Sequence, residues 1–287
     1  MSRTNPVTLG HSPDPDDAFM FFALAENKID TRGWVFEHIL QDIQTLNERA
    51  TRGELSVSAI SIHAYAYVLD KYALFPCGAS MGDGYGPMLV VRRGTPLPVG
   101  DAAVREWLRG RLIAVPGLMT SAYLALRLYL GEARTTVVPF DEIFHAVASG
   151  GAEVGLIIHE GQLTYAQEGF EKLVDLGEWW KADTGLPLPL GGNVIRKDYS
   201  VQERVEINAV LRESIRYGLA HRAAGVTHSM PLARGMNEAL ADKFIGMYVN
   251  DYTLDYGDLG RRAIRAFLDR GHQAGLLPAP VELEFVE

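Results

Sequence analysis

Chemistry in this chain would start at His159. The residue closes the run Val154-Gly155-Leu156-Ile157-Ile158-His159-Glu160, whose first five positions carry four large apolar side chains, three of them β-branched. Such a run reads as a strand buried on both faces. Ligands in open α/β sheets bind outside the carboxyl ends of the strands. A titratable residue at the end of a buried strand therefore faces the expected crevice. Imidazole, with an unperturbed pKa of about 6.5, can take a proton near neutral pH. The same pattern also suits a strand-end histidine that only makes a structural hydrogen bond.

Other stretches carry polar groups where a ligand could sit. Strand 112–115 runs into Pro116-Gly117-Leu118-Met119-Thr120-Ser121 and then an apolar helix over 122–130. Free N–H groups and two hydroxyls would meet at that helix N-terminus, a site for a carboxylate or phosphate. Simple N-capping by Thr120 or Ser121 accounts for the same residues. Near the start, His11-Ser12-Pro13-Asp14-Pro15-Asp16-Asp17 joins strand 7–10 to an apolar helix. Its prolines hold the loop extended, and Asp16 or Asp17 is placed to cap the helix. His11, Asp14, Asp16 and Asp17 offer hard ligands, but their spacing fits no calcium loop, and no metal site is expected. The glycine-rich stretch 78–87 precedes a strand and lacks the Lys-Ser/Thr ending of a P-loop. Its glycines let the backbone approach either a ligand or the other domain closely. No Gly-x-Ser-x-Gly nucleophile elbow occurs.

The elements that must position these residues alternate in type. Further strands are expected over 33–40, 55–61, 72–75, 88–91, 135–139 and 172–176. Helical spacing covers 42–52, 62–69, 104–108 and 140–149, and at the end 201–223, 236–248 and 259–274. His145, inside 140–149, reads as an ordinary helix residue. Segments 94–98 and 179–193 are proline-containing and read as extended crossings. The expectation is an α/β chain of two lobes, 1–93 plus 194–287 and 94–193. Two hinge crossings would join them around a central cleft.

Bulk composition narrows the partners. The chain has 287 residues, 47% apolar and 22% charged, as in ordinary globular proteins. A net charge of -9 argues against a nucleic acid or an anionic membrane surface. The single cysteine, Cys77, excludes an internal disulfide and a cysteine zinc site. No apolar run reaches the roughly 18 residues of a membrane span. The first ten residues lack the basic-then-apolar pattern of a secretory signal. A cytoplasmic location is expected.

The architecture resembles the type II periplasmic-binding-protein fold. Within it, the chain resembles the 1,4-dihydroxy-6-naphthoate synthase family of the futalosine route to menaquinone. The residues carrying this are Ser12-Pro13-x-Pro15-x-Asp17, Asp42-Ile43-x-Thr45-Leu46-Asn47, Ala64-Tyr65-Ala66 and Gly84-Tyr85-Gly86-Pro87. To them are added Ala114-Val115-Pro116-Gly117 and the stretches 155–160 and 184–191, all in register. The resemblance implies a lyase that converts cyclic dehypoxanthine futalosine to 1,4-dihydroxy-6-naphthoate. A sugar-derived fragment would leave, and neither a metal nor an organic cofactor would be needed. It implies His159 as proton acceptor and Ala59, Ile60, Ser61, Ser121 and Ala122 as contacts to a small-molecule carboxylate. Ser12, Asp14, Gly84 and Tyr85 are further candidates for the cleft.

This sequence departs from the family pattern in places. Asp14 and Asp16 stand where the family usually has Cys and Asn, Ala59 where relatives place Lys, and Ser121 where they place Thr. The first three changes make the cleft more negative and bear on which substrate it holds. One alternative is a solute-binding protein of the same fold, which needs no base. Another is the sister chorismate dehydratase, which the 157–160 run fits less well.

Overall fold

The alternation resolves into two mixed sheets. A computed structural model of the chain describes residues 5–287. In chain order the strands are β1 (Val7–His11), β2 (Phe36–Leu40), β3 (Val57–Ser61), β4 (Tyr72–Leu74), β5 (Ser80–Gly82) and β6 (Met88–Arg92). They continue as β7 (Leu112–Val115), β8 (Arg134–Val137), β9 (Val154–Ile157), β10 (Phe170–Asp175) and β11 (Leu188–Arg196). The helices are α1 (Pro15–Ala25), α2 (Ile43–Thr51), α3 (Ile62–Tyr65), α4 (Asp101–Arg109), α5 (Ser121–Leu130), α6 (Ile143–Ala148) and α7 (Gly161–Thr164). Next come α8 (Leu176–Thr184), α9 (Val201–Ala220), α10 (Arg222–Ser229), α11 (Glu238–Tyr248), α12 (Asp251–Leu254) and α13 (Gly257–Gln273). Among the described residues no helix is long and apolar enough to cross a membrane.

The first sheet has the order β2-β1-β3-β11-β4, with β5 also on β11. Here β1 runs parallel to β2 and β3, while β11 is antiparallel to β3, β4 and β5. The second sheet has the order β10-β6-β9-β7-β8. Strands β7 and β9 are parallel neighbours, and β6 pairs antiparallel with β9. Apart from half-buried Leu112, their Val, Leu and Ile side chains are fully buried, as strands covered on both faces require. Phe19 to Leu24 of α1 are likewise buried, because α9, α10 and α11 pack against that helix. Ile264, Phe267 and Leu268 of α13 share an apolar cluster with Trp180, Leu124 and Leu74. The last helix thus ties both sheets together.

Several elements differ from the sequence reading. The chain changes sheets between β5 and β6, ahead of the 94–98 segment expected to carry the first crossing. The expected extended stretch 179–193 is instead helix α8 followed by β11. Asp175 starts that helix by accepting the N–H groups of Gly177 and Glu178, and Gly185 ends it in the left-handed conformation. Pro189 is tolerated in β11 because the pairing with β5 slips register between Pro189 and Gly191. In the 78–87 stretch, Gly82 and Gly86 serve close backbone approach within the chain, while Gly78 lines a cavity between the sheets. A Cβ on Gly82 or on Gly177 would lie 1.9 Å from the Tyr85 carbonyl oxygen. The two crossing segments touch backbone to backbone there, which only glycine permits.

Candidate active site

Loops at the carboxyl ends of β1, β3 and β7 meet β11 around a cavity between the sheets. Ser12, Asp14, Asp16 and Asp17 form one part of its wall. Ala59, Ile60 and Ser61 come from the end of β3, and Thr120, Ser121 and Ala122 from the start of α5. The segment 190–193 of β11 completes it, with Ile158 from beyond β9. Of the residues expected from sequence, Ser12, Asp14, Ala59, Ile60, Ser61, Ser121 and Ala122 are therefore brought together. Gly84 and Tyr85 are not part of this wall. Tyr85 turns to the last helices, where its hydroxyl donates to the Met247 carbonyl and its ring packs edge-on to Tyr248 at 5.9 Å. His145 is an exposed residue of α6.

The start of α5 is held from the first sheet. Thr120 is the cap: its hydroxyl accepts the Tyr123 N–H at 3.1 Å. The Ser121 hydroxyl donates to the Leu190 carbonyl at 2.6 Å and accepts the His63 N–H at 3.2 Å. The N–H groups of Ser121 and Ala122 belong to the first turn and have no acceptor within the helix. They are the donors left for a carboxylate or phosphate. Asn47, fully buried, accepts the Ser61 N–H at 2.8 Å and donates to the Ser61 hydroxyl at 3.0 Å and the Met119 carbonyl at 3.4 Å. Gln44 accepts the Met119 N–H at 3.2 Å. His63 donates from Nδ1 to the Thr120 carbonyl at 3.1 Å, and burial lowers its pKa to about 4. Sequence reading missed these bracing residues, because their partners lie in another part of the chain. The one signal was Asn47, a polar residue between Leu46 and Ala50 on a helix with few other polar reasons to be buried.

The wall beside α1 is acidic. Asp14, and not Asp16 or Asp17, precedes the helix, and its side chain makes no capping bond. It instead takes the Ser12 hydroxyl and pairs with Arg234 at 2.6 Å. Asp17 accepts the Ser12 N–H at 2.6 Å, and burial pushes its carboxyl up to about 7. Burial, followed by the charges of Asp17 and Asp14, pushes Asp16 well above the carboxylate range.

His159 lies two residues beyond the end of β9 rather than within it. The strand stops at Ile157, and the backbone turns into α7. The ring is 7% exposed and packs edge-on to Phe140 and Phe144, with centroids at 5.7 and 5.9 Å. Although the sequence pattern pointed it at the crevice, His159 is not among the residues lining the cavity, whereas its neighbour Ile158 is. Its Nδ1 accepts the Gly161 N–H at 3.0 Å, so the neutral ring carries its proton on Nε2. Nε2 is buried without a well-formed hydrogen bond. Burial lowers the pKa, opposed by the carboxylates of Glu160 and Asp14. Among the described residues no three His, Cys, Asp or Glu side chains converge as a metal ion would need.

Residues 7–273 match the menaquinone biosynthesis family. A 1,4-dihydroxy-6-naphthoate synthase of Streptomyces coelicolor is 38% identical over 279 residues, covering 95% of each chain. Another, from Thermus thermophilus, is 37% identical over 275 residues, covering 96% of this chain and 97% of its own. The crystal structure of an Archaeoglobus fulgidus protein superposes with a TM-score of 0.87 at 40% identity, covering 94% of this chain and 98% of that one. The alkanesulfonate-binding protein of Xanthomonas axonopodis pv. citri, at 13% identity, superposes with a TM-score of 0.69 over 96% of this chain and 95% of its own. That likeness assigns the periplasmic-binding-protein-like fold.

Proposed function

The chain belongs to the menaquinone biosynthesis family, and from that premise we propose that it is a lyase making 1,4-dihydroxy-6-naphthoate from cyclic dehypoxanthine futalosine. The observation that carries this reading is the convergence of two distant segments, Ala59–Ser61 and Ser121–Ala122, on one cavity. Both are segments for which resemblance to the synthases implies substrate contact, and the named relatives match from end to end.

The polarity of the cavity supports one orientation of the substrate. A carboxylate is attracted to the free N–H groups at the start of α5, away from Asp16 and Asp17, which burial holds toward the protonated form. The hydroxyls of a sugar-derived part suit the wall of Asp14, Asp16 and Asp17, whose carboxyl groups can accept hydrogen bonds and, where protonated, donate them. His159 then acts as the base. A nitrogen that already accepts the Gly161 N–H cannot also take a substrate proton, so the ring must change its tautomer or turn. Glu160, whose carboxylate lies 3.6 Å from Nδ1, would hold the Nδ1 proton while Nε2 becomes the acceptor. We take the two sheets, each with its helices, as two lobes that open to admit substrate and close to exclude water. A cytoplasmic location and a small-molecule carboxylate substrate go with this reading.

The test is incubation of the purified protein with cyclic dehypoxanthine futalosine, with product followed by chromatography and mass. Formation of 1,4-dihydroxy-6-naphthoate, falling at least about 100-fold in His159→Ala, is the expected result. A ligand-raised melting temperature without product would instead favour a binder of the same fold or a sister enzyme.

A further inference from the structure

We propose that Arg234 is the positioning residue of this site, one side chain that braces Asp14, Glu160 and Phe140 around His159. Its Nη1 donates to Asp14 at 2.6 Å and to the two Glu160 oxygens at 3.2 and 3.3 Å, and its Nη2 donates to the Pro13 carbonyl at 3.1 Å. The guanidinium carbon lies 4.7 Å from the centroid of the Phe140 ring, which itself packs against His159. Asp14 belongs to the loop after β1, and Glu160 and Phe140 to segments of the second sheet. One guanidinium therefore links both sides of the site, with Nη1 shared between Asp14 and Glu160. Glu160 is 6% exposed, and a buried carboxylate needs such a partner. The backbone at Arg234 has φ +38, in the left-handed region that a residue with a Cβ disfavours, ahead of Gly235 at +81.

The charges around the ring make the role measurable. His159 faces Glu160 beside it, Asp14 from the first loop and Arg234 from the segment after α10. Phe140 and Phe144 contribute rings, Phe140 also its backbone, and Gly161 its N–H. Both carboxylates favour the charged ring and Arg234 opposes it. Without Arg234 the carboxylates act uncompensated.

The inference rests on the proposed role of His159, while its test reads the ring itself and needs no turnover. The Cε1–Hε1 signal of His159, assigned with His159→Ala, is titrated by NMR in the full chain. In Arg234→Met the midpoint is expected to rise by about one unit, as for a cation removed from within several Å at an effective dielectric near 20. Arg234→Lys, which keeps the charge, is expected to stay near the wild type. Asp14→Asn is expected to move the midpoint down, and it reads the same arrangement if Arg234→Met does not fold. An unmoved midpoint in Arg234→Met, a Lys variant that follows Met, or an Asp14→Asn midpoint that does not fall would overturn the proposal. Failure to turn over cyclic dehypoxanthine futalosine, with these shifts present, would remove the proposed substrate and leave Arg234 in place.

Discussion

Asp17 shows what a single residue of the cavity contributes in conflict with stability. Burial raises its pKa from 3.8 to about 7. Below pH 4 the folded and unfolded chains are both protonated there, and the residue costs nothing electrostatically. As pH rises toward 7 the unfolded chain releases the proton that the folded chain retains, so stability falls through that window and the full cost is reached above it. Asp17→Asn removes the charge and keeps an oxygen for the Ser12 N–H. The expected outcome is little change at pH 4 and a gain of about 2–4 kcal/mol at pH 8. Thermal melts at the two pH values check this. An equal effect at both would mean that the buried charge is not the cause. That a folded protein keeps such a residue in its cavity wall fits a role in ligand contact.

At the scale of elements, the two crossings are joined by backbone contact, and one substitution weighs two effects against each other. Gly177 lies in the first turn of α8, where alanine would add about 1 kcal/mol by helix propensity. Its Cβ would also lie 1.9 Å from the Tyr85 carbonyl oxygen and 2.5 Å from the Gly86 nitrogen. Backbone atoms cannot move aside as a flexible side chain can, so packing wins. Gly177→Ala is expected to lose more than about 2 kcal/mol overall, read as a lower melting temperature. A variant as stable as the wild type would show that the crossings do not touch in solution.

The same region shows where sequence stops being legible. Strand β7, the start of α5 and strand β9 announce themselves through local patterns, a continuous apolar run or a glycine turn before hydroxyls. So did the cavity position Ser121, from its place at a helix start, while Ser61 needed the resemblance. Helix α8 did not, because the prolines after it suggested an extended chain, while its start depends on a single carboxylate, Asp175. Arg234 gave no local signal at all. It lies in the gap between the helices expected over 201–223 and 236–248, and its partners Asp14 and Glu160 are far away in the sequence. A residue that acts by bridging distant segments is visible only once the fold has brought them together.

For the whole molecule, the question is how a substrate reaches a cavity braced from several directions. Asn47 and Gln44 reach Met119 from the first sheet, and Arg234 joins Asp14 to Glu160. Each contact links the two sheets, and on the proposed lobe motion each would have to break for the cavity to open. Asp16 and Asp17 are desolvated in this arrangement, and the proposed opening would relieve that cost when no ligand compensates them. The linking contacts are few and polar, whereas the crossings and α13 hold the sheets together apolarly. Opening about the crossings therefore breaks hydrogen bonds that water can replace. A compact chain of this length has a radius of gyration of about 19 Å. The ligand-free protein is expected to exceed the liganded one by about 1 Å in small-angle X-ray scattering, with 1,4-dihydroxy-6-naphthoate as the ligand. Identical scattering with and without naphthoate, at concentrations where it raises the melting temperature, would rule out lobe closure. The cavity would then have to fill through side-chain movement alone, and the bracing residues would stabilise the fold rather than respond to the ligand.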